Sequence, residues 1–87
     1  MTAIVSNGLR DCSHLTIVPV ISSFDREGNV LPLYVRLEGQ AFKIYNPYIC
    51  ESNTRILTFR CEIMVDNMVR NIKLKYFVHD LVWCLKK

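Results

Sequence analysis

Between Arg55 and Asp66 every second residue is apolar: Leu57, Phe59, Cys61, Ile63 and Val65 share one side of an extended chain, and Thr58, Arg60, Glu62 and Asp66 share the other. Side chains alternate faces along a strand but recur every 3.6 residues along a helix, so this run reads as a half-buried antiparallel strand. The same period of two, filled by β-branched and aromatic residues, recurs along most of the chain and predicts an all-β protein.

Residues 15–24 read as one further strand, apolar on both faces, with Pro19 pushing it to a sheet edge or a bulge because proline cannot donate to a ladder. Residues 30–37 alternate Leu31, Leu33, Val35 and Leu37 against Pro32, Tyr34 and Arg36. Between these two strands, Asp25-Arg26-Glu27-Gly28-Asn29 predicts a hairpin loop built on a type I turn with a bulge. Residues 38–40 reverse the chain into a strand at 41–45, where Phe42 and Ile44 oppose Lys43 and Tyr45, and residues 46–54 read as a loop. A tight reversal at Asp66-Asn67-Met68 leads into a strand at 69–78 carrying Ile72, Leu74, Tyr76 and Val78 on one face, and residues 81–85 close the chain as a short strand or a short helix, the strand being favoured.

The expected organisation is an N-terminal segment, 1–14, without assigned structure, followed by one all-β domain over 15–87. Its five or six strands form a small, strongly bent antiparallel sheet that closes as an SH3-like or OB-like barrel or roll, since closure removes exposed strand edges. At 87 residues there is room for one core only.

The chemistry-bearing residues are sparse. With Gly only at positions 8, 28 and 39, no phosphate-cradling loop can be built. Cys12-Ser13-His14 and His79-Asp80 put a thiol or a carboxylate near an imidazole, yet neither has the elbow or oxyanion donors that nucleophilic catalysis requires. Cys12, Cys50, Cys61 and Cys84 contain no Cys-x-x-Cys pair, and Cys61 falls on the apolar side of its strand, where a structural thiol belongs. The expectation is therefore a protein that is not an enzyme, without metal or cofactor. No secretory signal and no membrane-spanning run is visible, which places the chain in the cytoplasm with reduced thiols.

Two binding readings remain. Net charge is −1 over residues 1–54 and +4 over residues 55–87, and aromatic and basic residues interleave: Lys73, Lys75 and Phe77 on the fifth strand, Lys43 and Tyr45 on the third, Tyr34 and Arg36 on the second. A sheet face of this kind stacks bases and meets phosphates, so nucleic acid is the first named ligand. The alternative is a homodimer or a protein partner. Apolar residues make up 51% of the chain, more than one small core takes up, and Val18, Val20, Met64, Met68 and Trp83 are the candidate interface.

The run Val20-Ile21-Ser22-Ser23-Phe24-Asp25-Arg26-Glu27-Gly28-Asn29-Val30-Leu31-Pro32-Leu33-Tyr34-Val35-Arg36 resembles small uncharacterised all-β proteins of Gram-positive gut bacteria, in which a Ser-Phe-Asp, acidic-Gly turn, Pro-Leu-Tyr hairpin recurs. The ending His79-Asp80-Leu81-Val82-Trp83-Cys84-Leu85 is similar to their His-x-x-Trp-x-Leu, with one extra residue before the Trp. The resemblance implies an intracellular, single-domain bacterial protein of a mobile element and a terminal strand at 81–85. It brings no activity and no catalytic residues.

Overall fold

The computed structural model describes residues 15–86, so Cys12, His14 and the rest of 1–14 lie outside the described residues, as does Lys87. Within that range the chain forms eight strands and no helix: β1 (Leu15–Ile17), β2 (Val20–Phe24), β3 (Val30–Leu37), β4 (Gln40–Lys43), β5 (Tyr45–Ser52), β6 (Ile56–Val65), β7 (Met68–Phe77) and β8 (Val82–Lys86). The all-β expectation holds. In place of one bent sheet, however, there are two antiparallel sheets, a five-stranded one ordered β1-β8-β7-β6-β5 and a three-stranded one ordered β2-β3-β4.

Two segments carry the chain between the sheets. Residues 15–24 are two strands and not one: Val18 N–H donates to the Trp83 carbonyl of the five-stranded sheet, and the Pro19 carbonyl accepts from Arg36 N–H of the three-stranded sheet. Pro19, with a fixed φ and no N–H, sits where the chain changes sheet. The second crossing is at Ile44, buried between β4 and β5, whose N–H donates to the Leu33 carbonyl.

The turns follow from their residues. Gly28 N–H donates to the Asp25 carbonyl and Gly28 takes φ 85°, while Asp25 Oδ1 accepts from the Glu27 and Asn29 amides; this is the type I turn with a left-handed glycine that the sequence predicts. These hydrogen bonds, that from the Asn29 side chain foremost, hold the Asp25 carboxyl below its ordinary value. Asp66 and Asn67 both have positive φ, 52° and 64°, so β6 and β7 are joined by a two-residue turn whose twist matches the strands.

Two stretches depart from the expected alternation. Ile21 pairs with Tyr34 but the next residue, Ser22, pairs with Pro32, so β3 carries one extra residue at Leu33. A bulge of this kind flips the faces beyond it. Val30 and Pro32 are therefore buried, and Leu31 and Leu33, expected inside, are exposed. Residues 46–52, expected as loop, belong to β5, an edge strand whose register slips twice along β6 and which holds Asn46 at φ 52° next to Pro47. Asn-Pro signals a turn, and here it makes a bulge on a sheet edge, where proline is tolerated.

One core lies between the sheets. Phe59, Cys61, Ile63, Leu74, Tyr76 and Trp83 come from the five-stranded sheet, and Val30, Val35, Val18 and Ile44 from the smaller sheet and the two crossings. The Trp83 ring lies 4.8 Å from Tyr76 and 5.6 Å from Phe59. This corrects the interface expectation for two residues: Val18 and Trp83 are core, because the second sheet takes up apolar residues that a single sheet would have left outside, while Val20 is half-buried at the edge of that core. Met64 and Met68 are exposed.

Candidate functional site

The two-residue turn at Asp66–Asn67 sets which residues of β6 and β7 face each other, and it sets Arg60 opposite Lys73. In the next ladder Lys73 stands opposite Lys86, and on the other side Arg60 stands opposite Tyr48 of β5. Directly opposed residues of an antiparallel pair share a face, about 5 Å apart at Cα. Tyr48, Arg60, Lys73 and Lys86 therefore form a single row across four strands, on the face of the five-stranded sheet turned away from the core. None of the three cations has an ion pair among the described residues.

The flanking rows are mixed. On one side Asn71 lies opposite Glu62 and Glu62 opposite Tyr45, with the Asn46 amide donating to Glu62 Oε1 at 3.0 Å. On the other side Glu51, Thr58, Lys75 and Cys84 follow one another across the strands. Lys75 Nζ donates to the buried Thr58 Oγ1 at 3.0 Å, which holds this cation against the sheet. A groove of ≈ 610 Å³ runs along the central row, lined by Tyr48, Arg60, Lys73 and Lys86 with Glu62 and Asn71 beside them. At its end Tyr48 is 56% exposed.

The structure divides the residues expected to share one basic and aromatic face. Lys73 and Lys75 lie on the five-stranded sheet, and Tyr45 joins them through Glu62. Tyr34, Arg36 and Lys43 lie on the three-stranded sheet, where Tyr34 faces Lys43. Lys43 Nζ links the groups, 5.3 Å from the Tyr45 ring across the Ile44 crossing, a cation–π contact. Phe77 drops out: it points to the outer face but sits between its partners Ile56 and Val82 and is only 6% exposed. Sequence reasoning missed Tyr48, Arg60 and Lys86, which the ladders bring beside Lys73.

A second cleft, ≈ 880 Å³, opens between the sheets, floored by Phe42, Ile63, Val65 and Ile72 and bordered by Arg36, Arg70, Glu38 and Asp66. Its charges are of both signs. Among the described residues no group of three or more His, Cys, Asp or Glu side chains is placed to hold a metal ion, no disulfide forms, and no helix is long and apolar enough to cross a membrane. Cys61 is buried and desolvation pushes its thiol up to about 11, while Cys50 is exposed.

No family model matches the chain, and no curated protein or solved structure matches it. The functional reading therefore rests on the geometry of the row.

Proposed function

We propose that the chain acts by binding and not by catalysis, and that its ligand is a single-stranded nucleic acid lying across the outer face of the five-stranded sheet. One observation carries this reading: Arg60, Lys73 and Lys86 stand directly opposite one another on three adjacent strands with no acid in the row. Like charges so placed destabilise a sheet, and departures from a local rule of this kind concentrate at functional sites. A phosphate backbone over the row would relieve the repulsion and gain from releasing its own counterions.

Exposed Tyr48 at the end of the row, with Tyr45 in the next, favours a single strand over a duplex, because unpaired bases can stack on a tyrosine ring and paired ones cannot. In this reading the two sheets serve as one roll, stiffened at the Val18–Pro19 and Ile44 crossings, and the outer face is its platform. No metal or cofactor takes part.

The test is fluorescence anisotropy of a labelled single-stranded oligonucleotide at low salt. The wild-type chain binds it, a duplex of the same sequence binds more weakly, and Arg60→Glu combined with Lys73→Glu abolishes binding. Absence of binding at low salt, or binding unchanged in the double variant, overturns the reading.

A further inference from the structure

The four sheet edges are not equivalent. An edge strand presents a row of unpaired backbone groups, and proteins blunt such edges by shortness, charge, proline or bulges. β1 is three residues long, β4 is four and ends on Lys43, and β5 carries Pro47, Glu51 and two register slips. β2 has none of these devices: Val20-Ile21-Ser22-Ser23-Phe24 is uncharged and, among the described residues, pairs on one side only, with β3. Its bulge lies in the partner strand and leaves β2 itself regular.

Which groups are free follows from the ladder. The Pro19 carbonyl and the Asp25 N–H both point to β3, whereas Val18 N–H points the opposite way, to Trp83. Alternation then directs the N–H and C=O groups of Val20, Ser22 and Phe24 away from β3, along the edge that β8 covers only as far as Val18. Among the described residues none of these three has a bond to another part of the chain on that side. Ile21 is 64% exposed and Phe24 60%.

We infer that this edge is completed by β2 of a second copy of the chain, paired antiparallel about a two-fold axis normal to the sheet. Such an axis keeps each face on its own side, so a residue can lie opposite only one of the same face, and the register centred on Ser22 satisfies this. Ser22 then lies opposite Ser22 of the partner subunit, Val20 opposite Phe24 of the partner subunit, and Ile21 opposite Ser23 of the partner subunit. Every outward N–H and C=O of Val20, Ser22 and Phe24 finds a partner, the two Ile21 side chains meet on the diagonal, and two three-stranded sheets become one continuous sheet. The absence of charge on β2 is what permits self-pairing, since no like charges are brought opposite. This interface is separate from the Tyr48–Lys86 row and does not depend on it.

Sedimentation of the wild-type chain at high micromolar concentration is expected to give a species of about twice 10.2 kDa. Ile21→Lys, which places a charge on the edge, and Ser22→Pro, which removes one outward N–H, are each expected to return it to the single-chain mass with the far-ultraviolet circular dichroism of a β protein retained. Should either variant fail to fold, hydrogen exchange on the wild type decides: the Val20, Ser22 and Phe24 amides gain protection as concentration rises. A wild-type chain that stays at 10.2 kDa, a dimer that survives both substitutions, or exchange at these amides that is independent of concentration overturns the inference.

Discussion

Arg60 and Lys73 face each other across the β6–β7 ladder, and Lys86 faces Lys73 from the other side. Lys73 is thus flanked by like charge on both neighbouring strands. Replacing it by threonine, a strand-favouring neutral residue, removes both repulsions, and the expected result is a gain of about 0.5 kcal/mol. In thermal unfolding this is a rise in Tm of about 2–4 °C for a domain this small. A fall in Tm would mean that the lysine stem contributes more by packing than its charge costs.

How far this arrangement was legible in the sequence differs from residue to residue. The pairing of Arg60 with Lys73 follows once Asp66–Asn67 is taken as a two-residue turn, because both residues accept positive φ. Lys86 follows only if the length of the turn after Phe77 is known, and that turn is held by a backbone bond from Leu81 N–H to the Phe77 carbonyl that no sequence pattern announces. Tyr48 was hidden by Asn46–Pro47, which marks a loop in most chains and here marks a bulge that keeps β5 on the sheet edge. The extra residue at Leu33 hid the true faces of β3 in the same way: alternation is a local signal, and a bulge is decided by the partner strand. The split of residues 15–24 between two sheets was half legible, since Pro19 marked the place but not the consequence.

Trp83 was expected at an interface and lies against Phe59 and Tyr76 in the core. Trp83→Ala is accordingly expected to cost about 3–5 kcal/mol, enough to unfold much of a domain whose whole stability is of that order, while Met64→Ala on the exposed face is expected to stay within about 0.5 kcal/mol. Urea denaturation followed by circular dichroism checks both.

Cys61 keeps its proton in the folded state because burial disfavours the thiolate, with its pKa raised from 9.0 to about 11. A raised folded value means that stability is intact below the unfolded pKa and is lost as pH rises through the folded one. Stability is therefore expected to fall between about pH 9 and pH 11, and Cys61→Ala or Cys61→Val is expected to flatten that limb in urea titrations at several pH values. At neutral pH a thiol reagent is expected to label Cys50, which is exposed, and to reach Cys61 only after unfolding.

Leu81 adopts φ 55° in the turn before β8 and is 75% exposed, so its side chain adds little burial to offset the crowding of a left-handed backbone. Leu81→Gly or Leu81→Asn is expected to stabilise the fold by about 1 kcal/mol, read as a higher urea midpoint at unchanged m-value.

The central claim is that three cations in one row, without an ion pair among the described residues, meet the phosphates of a single strand. Its most direct test is the salt dependence of oligonucleotide affinity, since each phosphate contact with a single strand contributes about −0.7 to the slope of log K against log salt concentration. Three contacts predict a slope of about −2, and Lys73→Gln, which removes one, predicts about −1.4. A wild-type slope near zero, or a slope that Lys73→Gln leaves unchanged, would contradict the account.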